Sequence, residues 1–200
     1  MIKWIIFDQA GVQTHNVFSR KDFYSINNKQ FSAKELEAVY RHPDYKKFSI
    51  GTIDERDFIF LFLKENNIEL TVDEFIEIFR KGIEPIKGMK EILEELYKSV
   101  NLACLINEGS EWANYKMNIS GFREYFKEIF ISGDLHVEKP NPEIYKIALS
   151  KLNASSEECI FIDDQKENCQ AAEKLGIKSI VFENPIQLKK ELATFSININ

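Results

Sequence analysis

Short apolar runs alternate with amphipathic segments over most of the chain, and this alternation predicts an α/β fold. Runs rich in large and β-branched residues predict buried parallel strands at 2–7, 102–106, 129–132, 159–162 and 179–182. Segments with one apolar face predict helices at 89–98, 112–117, 122–126, 142–152, 167–175 and 185–192. Repeated strand–helix units favour a parallel sheet with right-handed crossovers, in which the first strand is central.

Residues 15–85 carry a different pattern, rich in Phe, Glu and Lys, with no convincing strand. Capping boxes that precede apolar helical segments occur in it at 32–35, 52–55 and 71–74. They predict a helical bundle inserted between the first strand and the rest of the sheet. The predicted domains are therefore an α/β core, 1–14 and 86–200, and a helical cap, 15–85, that lies over the carboxyl end of the first strand.

Composition and charge narrow the class of protein. A 44% hydrophobic content over 200 residues can supply the core of one domain with a modest insert. A net charge of −6 disfavours a non-specific nucleic-acid binder. No apolar run reaches the roughly 18 residues of a membrane span, and no signal peptide is expected. Three cysteines, a sparse and odd number, favour the reducing cytoplasm. We expect a monomer or a homodimer.

Candidate chemistry sits where the predicted strands end. Asp8 follows the first strand, Asp163 and Asp164 follow the strand at 159–162, and Lys139 comes after the strand at 129–132. Ligands of open α/β sheets bind at the carboxyl ends of the strands, so these side chains can converge at one rim. Carboxylates and a lysine gathered there would hold a divalent cation with an anion beside it.

Each of these residues also has a plainer interpretation. Asp8 can be a nucleophile that attacks phosphorus, but Asp is also favoured in turns and at helix N-caps. Asp163 and Asp164 can form a solvated acidic loop. Lys139 can neutralise phosphate and brace Asp8, or it can be a surface lysine. The residues alone leave these alternatives open.

Three segments together resemble the haloacid dehalogenase superfamily, in its cap-bearing, phosphatase-like subgroup. They are 7–12 (FDQAGV), 139–145 (KPNPEIY) and 161–176 (FIDDQKENCQAAEKLG). The resemblance implies a Rossmann-like core with an inserted cap. It also implies Mg²⁺ on Asp8, the backbone carbonyl of Ala10 and Asp164, with Asp163 close by. The expected activity is that of a phosphatase acting on a small phosphorylated metabolite through an aspartyl-phosphate, with Asp8 and Lys139 as catalytic residues.

Two positions depart from the family pattern. Many phosphatases of the family carry an Asp two residues after the nucleophile as general acid and base, whereas Ala10 cannot transfer a proton. The Ser or Thr expected after the second strand is replaced by Ile106, which has no hydroxyl for phosphate. Asn107 and backbone N–H groups near Gly109 can still donate hydrogen bonds. Asn107, Glu108 and Lys139 are the candidate substrate-binding residues.

These departures keep other functions open. A relative that retains the fold but acts by binding a ligand or partner is the main alternative. A metal-free dehalogenase is disfavoured because Asp163 and Asp164 are both present. A phosphonate-cleaving hydrolase would use a lysine of the cap, and Lys46 and Lys47 are more simply a solvated pair.

Overall fold

The computed structural model describes residues 1–199 and contains one main parallel sheet. The strands in chain order are β1 (Trp4–Phe7), β2 (Phe23–Ile26), β3 (Lys29–Ser32), β4 (Asn101–Ile106), β5 (Glu128–Ile131), β6 (Cys159–Asp163) and β7 (Lys178–Val181). The main sheet has five strands in the order β5-β4-β1-β6-β7, and its neighbouring strands are parallel. The predicted Rossmann-like fold and the central position of β1 are confirmed.

The helices lie close to the predicted positions. In chain order they are α1 (Ala33–Glu37), α2 (Tyr45–Ser49), α3 (Glu55–Glu65), α4 (Val72–Lys81), α5 (Met89–Leu96), α6 (Ser110–Ser120), α7 (Ser132–Leu135), α8 (Pro142–Leu152), α9 (Lys166–Glu173) and α10 (Pro185–Thr194). Helices α2 and α7 were not predicted, because five and four residues are too few to show a helical period. The helix predicted at 122–126 is only the 3₁₀ turn Arg123–Tyr125. Among the described residues, no helix combines the length and apolar character of a membrane span.

Both faces of the sheet are covered, which explains why its strands are nearly continuous apolar runs. Ile5 and Phe7 of β1 face a cluster that includes residues of α5, α6 and α10. Ile6, between them, faces the opposite cluster, which includes residues of α8 and α9. Successive side chains of a strand point to opposite faces, so burial on both sides leaves no polar alternation for the sequence to show.

The insert is not wholly helical, and the expectation that residues 15–85 hold no strand is wrong. Strands β2 and β3 form an antiparallel hairpin in which Tyr24 pairs with Phe31. The two connecting residues, Asn27 and Asn28, have φ values of 49° and 63°. Asn tolerates positive φ well, and two such residues in a row are typical of a type I′ turn. This Asn–Asn pair was the local signal for the hairpin.

The capping boxes place the starts of two of the three predicted cap helices correctly. Ser32 with Glu35, and Thr71 with Glu74, form complete boxes that begin α1 and α4. The box predicted at 52–55 is wrong by two residues, because Asp54 is the N-cap of α3 and its side chain accepts the Asp57 N–H at 2.9 Å. Asp is as good an N-cap as Thr and stands directly before the helix.

Trp112, an aromatic residue of α6, packs into the apolar cluster of the insert. The Trp112 ring lies 4.2 Å from Phe79, 4.8 Å from Phe48 and 5.9 Å from Tyr40, measured between centroids. Trp112 is fully buried and belongs to the apolar cluster of the insert, although its position in the sequence assigns it to the predicted α/β core domain.

The division into an α/β core, 1–14 with 86–200, and a cap, 15–85, stays a prediction.

Candidate active site

The structure brings three carboxylates together at the carboxyl end of the sheet. One oxygen each from Asp8, Asp163 and Asp164 lies within 4.8 Å of the others. The strand register accounts for this, because Phe7 of β1 pairs with Ile162 of β6 and the next residues are Asp8 and Asp163. Parallel strands that end level deliver their following side chains to one rim. The convergence expected from the sequence is therefore present.

Gly11 lets the loop after β1 turn close to Asp164. Its φ is +84°, and a Cβ there would lie 2.5 Å from Asp164 Oδ2. Its N–H donates to Thr14 O at 2.7 Å, which closes the turn. Gly is the residue that takes this backbone conformation without a steric cost. The turn carries Ala10, whose carbonyl remains a predicted metal ligand.

Lys139 lies between two of the carboxylates and is 3% exposed. Its Nζ donates to Asp8 Oδ1 at 2.8 Å, Asp163 Oδ2 at 2.7 Å and Leu105 O at 2.8 Å. Burial by itself lowers the pKa of this ammonium, but the Asp8 and Asp163 carboxylates outweigh it and raise the pKa. Lys139 is therefore held by three acceptors, and the two carboxylates among them favour its charged form.

Asp163 is committed to the framework of the site. Besides Lys139, it accepts the Gln165 N–H at 2.8 Å and Asn168 Nδ2 at 3.0 and 3.1 Å. It is fully buried, and both of its oxygens have protein partners. Asp164 is only partly buried and accepts from Gln165 Nε2 at 2.9 Å. The adjacent carboxylates thus differ, since one braces Lys139 and the other has room for a further partner.

The site carries more negative charge than Lys139 can balance. Burial raises the pKa of Asp8 to about 7, with Asp163 adding to the rise and Lys139 opposing it. Burial, and then the charge of Asp163, also raise the pKa of Asp164. Carboxylates that resist ionisation in this way are stabilised by a nearby cation. Hard oxygen donors with an excess of negative charge fit Mg²⁺, which binds a few carboxylates and keeps waters or phosphate oxygens.

Two of the predicted substrate-binding side chains have other partners. Asn107 Nδ2 donates to Lys139 O at 2.7 Å, and Asn107 Oδ1 accepts the Lys139 N–H at 2.8 Å. Glu108 is 2% exposed and forms a buried ion pair with Lys116 Nζ at 2.5 Å. Among the described residues, neither side chain has a hydrogen bond to Asp8, since Asn107 is engaged with the backbone of Lys139 and Glu108 with the side chain of Lys116.

Sequence reasoning missed one residue that supports the nucleophile position. Gln13 is fully buried, and its Nε2 donates to the carbonyl oxygen of Asp8 at 2.8 Å. This contact fixes the backbone from which the Asp8 side chain projects. A glutamine five residues after Asp8 shows no motif in the sequence, and only the tight turn at Gly11 brings it back.

Comparison with known proteins agrees with this geometry. A family model described as haloacid dehalogenase-like hydrolase matches residues 6–182. The chain belongs to the haloacid dehalogenase-like hydrolase family. The resemblance seen in the sequence is confirmed, and the matched segment includes Asp8, Lys139, Asp163 and Asp164.

Several curated relatives of this HAD chain are phosphate-ester or pyrophosphate hydrolases by name. It is 27% identical over 161 residues to flavin mononucleotide hydrolase 1 of Arabidopsis thaliana, covering 80% of this chain and 65% of that protein. It is 28% identical over 119 residues to pyrophosphatase PpaX of Halalkalibacterium halodurans, covering 55% of each. It is 27% identical over 200 residues to the putative phosphatase YhcW of Bacillus subtilis, covering 93% of this chain and 86% of that one. The chain thus spans less than two thirds of the first two.

Solved structures share the fold. A HAD family enzyme of Bacteroides thetaiotaomicron, in complex with magnesium and inorganic phosphate, matches with a TM-score of 0.72 and 18% identity, over 92% of this chain and 96% of that one. A HAD-like family hydrolase of Porphyromonas gingivalis matches with a TM-score of 0.74 and 20% identity, over 98% of both chains. At these identities the likeness establishes the fold alone.

Proposed function

We propose that this HAD hydrolase is a magnesium-dependent phosphatase that acts on a small phosphorylated metabolite through an aspartyl-phosphate on Asp8. The observation that carries the proposal is the contact of Lys139 with Asp8 and Asp163, beside the partly open carboxylate of Asp164. A carboxylate fixed by a lysine next to a cation site can act as a nucleophile towards phosphate. The phosphatase relatives support the same reaction class.

Asp8, Asp164 and the backbone carbonyl of Ala10 are the groups that would hold Mg²⁺, with Asp163 bracing them. When bound, the cation would offset the repulsion between Asp8 and an incoming phosphate and stabilise charge on the phosphoryl oxygens. Asp163 is the least suited to bind it directly, because Lys139, Asn168 and the Gln165 N–H already occupy its oxygens.

Hydrolysis of a phosphate ester would proceed in two steps, with Asp8 as the nucleophile and Lys139 beside it. An oxygen of Asp8 attacks phosphorus, the bond from phosphorus to the leaving group breaks, and the phosphoryl group remains on Asp8. Lys139 orients Asp8 through Oδ1 and contributes positive charge. Water then attacks the aspartyl-phosphate and releases inorganic phosphate. Ala10 supplies no proton to the leaving group and no base for the water.

A binding protein with the same fold is the second candidate. Ala10 and Ile106 favour it, and Asn107 adds to them because its side chain is engaged with the Lys139 backbone. A dehalogenase is less well supported, because the pair Asp163 and Asp164 is retained. The cap lysines give a phosphonate-cleaving role no support, since Lys46 pairs with Glu138 and Lys47 with Asp44.

The three cysteines, Cys104, Cys159 and Cys169, are buried free thiols, which accords with the proposed location in the reducing cytoplasm.

Asp164→Asn is expected to weaken Mg²⁺ binding by roughly 10-fold or more, because it removes a charged oxygen ligand. Calorimetric titration of the free protein with Mg²⁺ measures this directly, without relying on turnover. Asp73→Asn, an exposed carboxylate of α4 paired with Arg56, is the matched control and should bind Mg²⁺ as the wild type does. Equal affinities for wild type and Asp164→Asn would remove Asp164 from the metal site.

Lys139→Met is expected to destabilise the fold by about 3–5 kcal/mol, because it leaves the buried Asp8 and Asp163 without their cation. Lys116→Met is the matched control, since Lys116 is equally buried and pairs with Glu108. Urea unfolding should show a loss in both variants, whereas phosphate release by the folded protein should fall strongly only in Lys139→Met. Similar rates of phosphate release by the two folded variants would show that Lys139 is not a catalytic residue.

A further inference from the structure

A short segment of the cap sits directly on the loop that delivers Lys139. We call residues 46–51 the cap foot and residues 132–139 the lysine loop. Ser132 Oγ donates to Ser49 O at 2.6 Å, and Ser49 Oγ donates to Glu138 Oε2 at 2.7 Å. His136 Nδ1 donates to Ile50 O at 2.9 Å, and Lys46 Nζ lies 3.2 Å from Glu138 Oε1. The cap foot therefore contacts the lysine loop near its beginning and next to Lys139.

One glycine, Gly51, allows the backbones of the cap foot and the lysine loop to meet. Gly51 has a φ of +68°, and a Cβ at this position would overlap the carbonyl oxygen of Gly133. Any larger residue at 51 would push the cap foot away from the lysine loop. Backbone approach this close is a typical reason for a glycine.

The lysine loop has little regular structure to fix it from within. Helix α7 has four residues, and His136, which ends it, has a φ of 57°. In the core, the Asn107 carboxamide holds both the N–H and the carbonyl of Lys139. The loop is thus held by the core, through Asn107 at Lys139 and the Glu108 backbone at Ser132, and by the cap foot. Glu138, which the cap foot contacts, is the residue immediately before Lys139.

We infer that the cap foot is a positioning element for Lys139, with Ser49 and Glu138 as its positioning residues. The cap then does more than cover the site, because its seating on the lysine loop fixes the ammonium that touches Asp8 and Asp163. If the cap served only in substrate selection, Lys139 would keep its position when the cap foot separates from the lysine loop. The kinetic part of this inference rests on the proposed phosphatase function, and the structural part does not.

Gly51→Ala tests the inference, with Gly121→Ala as its matched control. Both glycines have positive φ, +68° and +71°, but a Cβ at 121 would meet nothing within 4 Å. The backbone strain is therefore shared, and only Gly51→Ala drives the cap foot off the lysine loop. Amide hydrogen exchange by NMR should show the Lys139 N–H and residues 132–138 exchanging roughly 10-fold faster or more in Gly51→Ala, and unchanged in Gly121→Ala.

The second measurement is the steady-state rate of hydrolysis by the wild type, Gly51→Ala and Gly121→Ala. The substrates are acetyl phosphate and the larger 4-nitrophenyl phosphate. Misplacement of Lys139 should lower kcat/KM, which reports the first phosphoryl transfer, by the same factor for both substrates, roughly 10–100-fold. Unequal losses would mean that the cap acts by substrate selection and would overturn the inference. So would unchanged exchange in the lysine loop, or equal effects of Gly51→Ala and Gly121→Ala.

Two milder variants keep the test decisive if Gly51→Ala does not fold. Ser49→Ala removes only the hydroxyl that reaches Glu138, and Glu138→Gln keeps an acceptor for that hydroxyl. We expect faster exchange at Lys139 in Ser49→Ala and substantial retention of protection in Glu138→Gln. The opposite order would overturn the inference. A wild type no more active than Asp8→Asn would refute the proposed function, while the exchange measurements would still decide on the cap foot.

Discussion

Asp8→Asn is expected to lower the release of phosphate from aryl and acyl phosphates by roughly 10⁴-fold or more, because it removes the nucleophile. The fold should tolerate the change. An Asn at 8 keeps an oxygen for Lys139, and it removes a charge from a site where burial raises the pKa of Asp8 to about 7. Steady-state assays of both proteins, matched for folded fraction by circular dichroism, measure the difference.

Asp73→Asn provides the control for the Asp8 result, since it makes the same chemical change at an exposed cap position. It should retain wild-type activity. If the wild type is no faster than Asp8→Asn on even the most reactive substrates, the enzyme proposal fails and the binding relative takes its place.

Ala10 is expected to give the enzyme a marked dependence on the leaving group. Assistance by a general acid is typically worth roughly 10²–10⁴-fold in rate, or about 3–5 kcal/mol. An alkoxide departs poorly without a proton, whereas a nitrophenolate or a carboxylate departs well. Aryl and acyl phosphates should therefore be hydrolysed readily and simple alkyl phosphates barely. Breakdown of the aspartyl-phosphate should also be slow, so that a burst of the first product precedes steady turnover.

Ala10→Asp tests that expectation by restoring the missing acid. In the first phosphoryl transfer, measured before steady state, it should raise the rate for an alkyl phosphate by up to roughly 10²-fold and the rate for an aryl phosphate much less. Ala10→Asn is the matched control, because it has nearly the same size and cannot transfer a proton. Ile106, which offers phosphate no hydroxyl, limits the gain. Equal gains for both substrates, or a gain in Ala10→Asn, would contradict the role assigned to position 10.

The core could be predicted because its signals are local and repeated. The strand at 159–162 is a continuous apolar run, and α8 begins at Pro142 after the N-cap Asn141, whose Oδ1 accepts the Glu143 N–H at 3.0 Å. The cap was harder. Its hairpin has Asn27 and Asn28 in the turn. Residues of β2 alternate between exposed and buried, but the exposed Phe23 is apolar, so the sequence shows no clear alternation of polar and apolar residues.

Residues at the ends of strands were predictable because topology fixes where they meet. Once β1 and β6 are neighbours, Asp8 and Asp163 must lie side by side. Side-chain direction within a loop is a different matter. Asn107 and Glu108 are adjacent in the sequence, yet one clamps the Lys139 backbone and the other pairs with Lys116 beneath the cap. Those partners lie 32 and 8 residues away, and no local pattern selects them.

Covalent chemistry on Asp8 is the central claim, and mass spectrometry of the acid-quenched protein tests it most directly. The wild type is mixed with acetyl phosphate and Mg²⁺, quenched within the expected burst, digested, and examined for the peptide that contains Asp8. The account predicts one phosphoryl group on Asp8, absent from Asp8→Asn and from wild type without Mg²⁺. Hydrolysis at the wild-type rate with no phosphoryl group on Asp8 at any quench time would contradict it.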